Sequence, residues 1–293
     1  NDAAFAREYE SKWSGTSENA FFDGEAFDRN RSLMKAENES SGKIGNGGYY
    51  IISADIGRKG DASVFCVFKV LPQPVGSAFK NLVNIYTLDN EHFEEQAIML
   101  KKLYFKYKAR RIVIDGNGLG IGLLDYMVKS QIDPATGDIY QDFGILNDEN
   151  GDYKKYRTSM TEQDAIYVIK ANAPINTEAH SNAQVQLTSG HVKFLIEERE
   201  AKSKLLGTKV GQAMTPEQRA EYLKPYTLTS ILKEEMMNLR EENEGVNIIL
   251  KKANKSIKKD KFSAFEYGLY YIKEEEEKKK KKKFNAKEWM LLN

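Results

Sequence analysis

The chain has 293 residues, 41% of them hydrophobic and 30% charged, which is enough apolar content for one large domain or a domain with an appendage. The formal net charge is only +1, so any nucleic-acid partner must be argued from local charge. Cys66 is the single cysteine, which excludes an internal disulfide framework and predicts a reducing compartment. No apolar run is long enough to predict a membrane span, and no segment has the pattern of a signal peptide.

The first 45 or so residues are polar and weakly periodic, and they end in the Ser/Gly/Asn-rich stretch ENESSGKIGNGG. This composition predicts a linker over residues 1–45, a main domain over residues 46–275 and a charged tail over residues 276–293. The first residue is Asn rather than Met, which indicates a fragment or a processed form.

A regular series of predicted strands and helices begins after residue 48. The predicted elements are strands over residues 49–56, 62–71 and 81–88, a helix over 91–107, a strand ending at 115, a helix over 119–128 and a strand in DFGIL. A three-strand meander followed by helix, strand, helix and strand is the order of a ribonuclease-H-like α/β fold. We therefore predict a mixed central sheet of about five strands flanked by helices.

The second half has a weaker pattern. Helices are predicted over residues 161–173, 226–242 and 259–272, and a strand is predicted in HVKFLI. The stretch 202–215 is basic, bears glycine and has no period, which predicts an inserted exposed loop or hairpin.

Two aspartates lie at the ends of apolar strands. Asp55 lies near the end of the first predicted strand, and Asp115 ends the fourth, which is the neighbour of the first in this fold. Burying an ionised carboxylate in such a strand lowers the stability of the fold by roughly a few kcal/mol unless another interaction compensates for the lost hydration. A divalent cation would offset it; a hydrogen-bonded turn at Asp55, or a cap of the next helix by Asp115, are the structural alternatives.

Other acids are candidates on weaker grounds. Asp260 lies at the entrance of the last predicted helix, where a negative charge also favours the helix dipole. Asp61 lies in the first hairpin turn, a common place for aspartate. Glu266 is farther along the last helix, and Asp125 and Asp164 are explained by the polar faces of predicted helices.

The glycine-rich GNGLGIG lacks the third glycine of a dinucleotide-binding G-x-G-x-x-G motif, with Ile121 or Leu123 in its place. The predicted role of these glycines is backbone that approaches a phosphate or metal closely. No G-x-x-x-x-G-K-[ST] motif occurs, so no ATPase activity is expected from this chain. The three histidines form no metal-binding pair, so a metal would take oxygen ligands.

Four motifs in order, IISADIGRKGDASV, RRIVIDGNGLG, VKFLIEEREAKSKLL and KKDKFSAFEYGLYYI, resemble the nuclease domain of tailed-bacteriophage terminase large subunits over residues 49–272. The N-terminal AFAREYESKWSGTSENAFF is similar to the end of the packaging ATPase domain and its linker in that family. The resemblance implies an endonuclease that cuts concatemeric double-stranded viral DNA in the cytoplasm of an infected bacterial host.

The resemblance also implies a site for two Mg²⁺ or Mn²⁺ ions. Asp55, Asp115 and Asp260 match the family's strand-one, strand-four and C-terminal-helix acids, and Asp61 matches a hairpin acid of some members. Asp55 would then contact both ions, Asp115 mainly one and Asp260 the other.

Lysines near these acids are the expected DNA contacts. Where some relatives carry a histidine or a second aspartate before the helix acid, this chain has two lysines. The expected phosphate contacts are Lys258, Lys259 and Lys261, with Lys202, Lys204 and Lys209 of the predicted loop. Because phosphate contacts do not read sequence, weakly sequence-specific cleavage is expected. The family also implies a portal protein and a small terminase subunit as partners, and the isolated domain is expected to be monomeric.

Three other interpretations stay open. The chain could be a different ribonuclease-H-like nuclease, such as a junction resolvase or a transposase core, although the ATPase-like N-terminal stretch argues against this. It could also be a non-catalytic module that docks DNA or a portal. A nucleotide-binding α/β protein is disfavoured by the incomplete glycine motif.

Overall fold

A mixed sheet forms the centre of the molecule. The computed structural model describes residues 19–57, 61–89, 91–154 and 164–291. Within these residues the sheet has eight strands in the order β1-β10-β4-β3-β2-β5-β9-β8. They are β1 (Arg31–Leu33), β2 (Tyr49–Asp55), β3 (Ser63–Leu71), β4 (Phe79–Leu88), β5 (Arg111–Asp115), β8 (Gly144–Ile145), β9 (Asp164–Ile169) and β10 (Val192–Leu195).

Two short hairpins lie outside this sheet, and helices cover both of its faces. The hairpins are β6 (Gln131–Ile132) with β7 (Ile139–Tyr140), and β11 (Leu239–Glu244) with β12 (Asn247–Lys252). The helices are α1 (Gly24–Arg29), α2 (Phe93–Tyr107), α3 (Leu119–Met127), α4 (Ala173–Thr188), α5 (Glu198–Leu206), α6 (Lys209–Ala213), α7 (Pro216–Met237) and α8 (Asp260–Leu291). None of these helices is long and apolar enough to cross a membrane.

The five central strands have the ribonuclease-H-like arrangement. Strands β2, β3 and β4 form an antiparallel meander, β5 runs parallel to β2, and β9 runs parallel to β5. The predicted fold class is therefore confirmed. The sheet is wider than predicted because β10 and β1 extend it beyond β4, and β8 extends it beyond β9.

Alternate residues of the central strands enter two different cores. On β3, Cys66 and Phe68 pack beneath α8 and α4, whereas Phe65 and Val67 pack beneath α2 and α3. A strand with helices on both faces must be apolar at every position, which explains the unbroken hydrophobic runs of the sequence.

The fifth central strand lies where the sequence pattern predicts a helix. Residues 164–169 form β9, and Asp164 is its first residue rather than part of a polar helix face; residues 161–163 lie outside the described part. Ala165, Ile166 and Val168 are buried against the neighbouring strand. The prediction was wrong because a short apolar run has no period that separates a buried strand from a buried helix.

The basic stretch 202–215 is helical, so the predicted loop was also wrong. It forms the end of α5 and all of α6, and Thr208 caps α6 by accepting a hydrogen bond from the amide of Gly211 at 3.0 Å. Thr215 and Gln218 then form a reciprocal capping box at the start of α7, ten residues before the predicted start of that helix. The inserted hairpin of this fold is β11–β12, which replaces the predicted end of the helix over 226–242.

Part of the predicted N-terminal linker packs into the main core. Strand β1 runs parallel to β10, and the rings of Phe27 and Phe194 stack with centroids 3.9 Å apart. Phe22 is also buried, against Phe262 of α8. Residues from about 21 to 33 therefore share one core with the strands that follow them.

Candidate metal centre

Asp55 and Asp115 end two neighbouring parallel strands. Ala54 of β2 is level with Ile114 of β5, so the two aspartates, one residue farther on, are the next pair across the strands. Neighbouring strands are separated by roughly 4.8 Å. The predicted proximity of the two residues therefore follows from the observed register.

Both aspartates belong to the face of the sheet that α8 covers. Ser53, two residues before Asp55, donates a hydrogen bond to the carbonyl oxygen of Ala264 in α8 at 2.6 Å. Val113, two residues before Asp115, belongs to the core on the same side. Because strand side chains alternate between faces, the two carboxylates project toward the beginning of α8.

Asp260 is the first residue of α8 and supplies the third carboxylate. Its Oδ2 atom is buried and has no hydrogen-bond partner. Burial raises the pKa of Asp260 most strongly, the charge of Lys258 lowers it, and the charge of Asp61 raises it. A buried carboxylate oxygen without a donor is stabilised only by a proton, a water or a cation, so it is an expected ligand position.

Asp55 lies at the electrostatic centre of the cluster. Burial, followed by the negative charges of Asp260 and Asp115, raises the pKa of Asp55 to about 7, while Lys259 acts in the opposite direction. Burial also raises the pKa of Asp115, against the effects of an amide hydrogen bond and of Lys259. The charges of Asp260 and Asp115 therefore both act on Asp55, and a positive charge beside Asp55 would relieve this repulsion.

Asp115 also shapes the turn that follows it. Its Oδ1 atom accepts a hydrogen bond from the amide of Asn117 at 3.0 Å, while α3 begins at Leu119 after Gly118, whose φ is +57°. A side chain at Gly120 would lie 1.7 Å from the carbonyl oxygen of Asp115. Gly120 is thus required because the backbone of Asp115 packs against it. The sequence interpretation instead explained these glycines by close approach to a phosphate or metal.

Asp61 lies across from the start of α8 and is paired with a lysine. Its Oδ1 atom is 3.0 Å from the Nζ of Lys258, and both side chains are largely exposed. The charge of Asp61 also contributes to the raised pKa of Asp260. Asp61 is therefore near the cluster, on its solvent side.

The lysines before and after Asp260 have different surroundings. Lys258 and Lys259 are exposed, and the charge of Lys259 reaches Asp55 and Asp115. Lys261 is buried and forms an ion pair with Glu235 at 3.2 Å. The predicted contact of Lys261 with DNA does not suit this position, because the ammonium group is used inside the protein.

The three lysines from the other basic stretch lie elsewhere. Lys202 and Lys204 are on α5 and Lys209 begins α6, after β10, which is separated from β2 by β4 and β3. Three strand spacings correspond to roughly 14 Å across the sheet. The structure does not bring these lysines into the carboxylate cluster.

Two buried acids near the cluster were missed or ranked low. Glu235 of α7 is 1% exposed, and Glu266 of α8 is 3% exposed and lies 2.6 Å from the Nδ1 of His180. The charge of Asp115 contributes to raising the pKa of Glu266, after the larger effect of burial. No sequence signal distinguishes Glu235 from the other glutamates of a charged helix, because its partners are distant along the chain.

The donors of this cluster suit a hard divalent cation. Among the described residues, no group of three or more His, Cys, Asp or Glu side chains is placed so that it could hold a metal ion. Mg²⁺ sites commonly use only one or two carboxylates and complete their octahedra with waters and substrate phosphates. The two adjacent strand-end carboxylates of Asp55 and Asp115 fit such an open site better than a closed structural one, and the unpaired Oδ2 of Asp260 is a further oxygen near Asp55.

Comparisons with solved structures point to one group of proteins. The chain is similar to the large terminase nuclease of thermophilic phage G20c with bound magnesium, with 15% identity, a TM-score of 0.48, and coverage of 86% of this chain and 97% of that chain. It is also similar to the nuclease domain of the large terminase subunit gp2 of bacterial virus Sf6, with 10% identity, a TM-score of 0.42, and 86% and 96% coverage.

A longer protein gives a similar result. The large terminase of bacteriophage HK97 matches with 6% identity and a TM-score of 0.44, over 86% of this chain and 43% of that chain. No protein-family model matches the chain, and no curated protein matches it. At these identities and TM-scores the likeness carries no functional weight.

Proposed function

We propose that this chain is a metal-dependent endonuclease for double-stranded DNA and the DNA-cutting part of a viral packaging motor. The observation that carries the proposal is that Asp55 and Asp115 end neighbouring parallel strands of a ribonuclease-H-like sheet, while Asp260, which has an unpaired carboxylate oxygen, lies near enough for its charge to raise the pKa of Asp55. The terminase-like motifs around these same residues support the choice of DNA packaging over other nuclease roles.

The three carboxylates would hold two Mg²⁺ or Mn²⁺ ions. Asp55, which lies beside both of the others, would contribute to both ions, Asp115 to one and Asp260 to the other. Bound there, the ions would supply Lewis acidity and lower the pKa of a hydrolytic water. Asp55 and Asp115 end neighbouring strands and Asp260 begins a helix, so little reorganisation would be required when the site fills.

Exposed lysines beside the cluster would orient the DNA. Lys258 and Lys259 lie next to Asp260 on the solvent side, where their ammonium groups can meet backbone phosphates. We expect little sequence preference, because such contacts do not read base edges. Lys202, Lys204 and Lys209 would touch only a DNA segment that extends beyond the cluster.

The motor context adds expectations about partners. A portal protein and a small terminase subunit would restrain or recruit the nuclease, in the cytoplasm of an infected bacterial host. The isolated chain would be monomeric and would lack ATPase activity.

A plasmid-nicking assay with Mn²⁺ tests the proposal. Wild type should convert supercoiled plasmid to nicked and linear forms, and Asp55→Asn, Asp115→Asn and Asp260→Asn should each reduce the rate by about 100-fold or more. Asp125→Asn, an exposed aspartate on α3, is the matched control and should retain the wild-type rate.

Two outcomes would replace the proposal. Equal inertness of wild type and all variants, together with retained DNA binding, would favour a non-catalytic docking module. Cleavage confined to four-way junctions would favour a resolvase.

A further inference from the structure

We propose that Glu235 is a positioning residue, which holds Asp260 in place by capping the amino end of α8 from a neighbouring helix. The inference rests on the proposed metal-dependent function and extends it to a residue outside the carboxylate cluster.

The residue that precedes α8 cannot cap the start of the helix with its side chain. A helix leaves its first amides without partners, and these are usually satisfied by Ser, Thr, Asp or Asn just before the helix. The residue before Asp260 is Lys259, whose side chain cannot accept a hydrogen bond. Oε2 of Glu235 accepts the hydrogen bond from the amide of Phe262 instead, at 2.9 Å.

The same carboxylate holds the side chain next to Asp260. Oε1 of Glu235 accepts a hydrogen bond from the Nζ of Lys261 at 3.2 Å, and both residues are buried. Glu235 therefore holds a backbone amide two residues after Asp260 and the ammonium group of the residue between them. A buried acceptor with two donors defines the position of the first helical turn more closely than solvent could.

A second tie connects α7 to the chain that enters α8. Asn238, which follows α7, donates from Nδ2 to the carbonyl oxygen of Asn254 at 2.9 Å. Its Oδ1 accepts from the amide of Asn254 at 2.7 Å. The segment before Asp260 is thus held by the same end of α7 that caps the helix, so movement of α7 would move the third carboxylate relative to the strand edge.

The charge of Glu235 also reaches the cluster. It contributes to the raised pKa of Asp55, and the charge of Asp260 contributes to the raised pKa of Glu235. The capping carboxylate and the proposed metal ligands therefore lie in one electrostatic environment, although Glu235 is already paired with Lys261.

The other half of α8 contains a matched contact for comparison. Glu276 accepts hydrogen bonds from the amide of Ala78 at 2.6 Å and from the Nζ of Lys80 at 3.4 Å. It is the same chemistry, a carboxylate that joins a backbone amide and a buried lysine. Sixteen residues of helix place it about 24 Å from Asp260.

The experiment measures Mn²⁺ binding to the 293-residue chain by calorimetry and records thermal unfolding in parallel. Glu235→Ala should raise the dissociation constant for Mn²⁺ about tenfold, within the range typical for residues that orient metal ligands. Glu235→Gln should raise it less, because its amide oxygen can still accept from Phe262. Glu276→Ala should lower the unfolding temperature but leave Mn²⁺ affinity unchanged.

The results that would contradict the positioning role can be told apart from those that would contradict the proposed function. Equal loss of Mn²⁺ affinity in Glu235→Ala and Glu276→Ala would show general loosening of α8 and overturn the positioning role. Wild-type affinity in Glu235→Ala would overturn it as well, with the proposed function intact. If Glu235→Ala does not fold, wild-type affinity in Glu235→Gln together with loss of the Phe262 amide protection from hydrogen exchange would also overturn it. Absence of Mn²⁺ binding by wild type would overturn both proposals.

Discussion

Asp55 combines burial with two acidic neighbours, and both effects oppose its ionisation. Its pKa is raised to about 7. In the metal-free protein Asp55 is therefore protonated below about pH 7, where an ordinary aspartate would be ionised. A site arranged in this way favours cation binding at the expense of the stability of the empty fold.

The first prediction concerns the pH dependence of metal-free stability. The folded chain retains the proton of Asp55 up to about pH 7, whereas the unfolded chain releases it near pH 3.8. The contribution of Asp55 to the unfolding free energy is therefore fully present below pH 4 and is lost as the pH rises through 7. In EDTA, the unfolding free energy of wild type should fall by about 4 kcal/mol relative to that of Asp55→Asn between pH 4 and pH 8. Parallel urea-unfolding curves for the two proteins would contradict this.

The second prediction concerns Lys101, whose contribution to stability rises with pH instead of falling. Burial lowers the pKa of Lys101 to about 7, while its Nζ donates to the carbonyl oxygens of Lys129 and Gln141. The unfolded chain keeps this proton up to about pH 10.5, so stability is lowest below pH 7 and rises between pH 7 and pH 10.5. Chemical unfolding should show this rise, on the order of 2–4 kcal/mol, in wild type and not in Lys101→Met. The exposed neighbour variant Lys102→Met should keep it.

At the scale of elements, α8 determines the geometry of the candidate centre. It begins with Asp260, packs on β2 and β3, and lies close against the sheet at Gly268. A side chain there would lie 2.5 Å from the ring of Phe68 and 2.7 Å from the Oγ of Ser53. The helix can adopt this register only because that position is glycine.

The third prediction follows from this close approach. Gly268→Ala should destabilise the protein by about 1–3 kcal/mol, because overpacking outweighs the gain in helix propensity of up to about 1 kcal/mol. It should also weaken Mn²⁺ binding, since α8 must shift. Gly24→Ala is the control, because its new methyl group meets only the flexible end of Met237 and should change stability little. Thermal unfolding with equal losses in both variants would disprove the argument.

At the scale of the whole molecule, the segment before residue 45 is part of the fold. Phe27 is fully buried, its ring stacks on Phe194 of β10, and α1 is joined to α7 by the ion pair of Asp28 and Lys233 at 2.6 Å. The sheet therefore depends on chain segments from both sides of the predicted boundary.

The fourth prediction tests this dependence. Phe27→Ala should destabilise the protein by about 3–5 kcal/mol, as expected for a buried aromatic ring. Phe105→Ala, at a position that is 49% exposed, should cost less than about 1 kcal/mol. Equal denaturant midpoints for the two variants would show that residues before 45 do not contribute to the core.

The central meander, β5 and the two strand-end aspartates could be predicted from the sequence alone, because local patterns of apolar residues carry that information. The strand Asp164–Ile169 and the helices over residues 198–213 could not be recognised, because short segments take their form from the neighbours that bury them. The sequence motifs also indicated Asp260, but only through resemblance.

Which charged side chains pair with each other or lie close together is known only from the folded chain. Lys261 is buried and paired with Glu235, Lys258 is paired with Asp61, and Lys202 is on α5, which follows the strand β10 three positions away from β2 in the sheet. Each of these relations joins residues far apart in the chain. Whether a charge is free, paired or next to another acid depends on distances and burial, which a linear pattern does not contain.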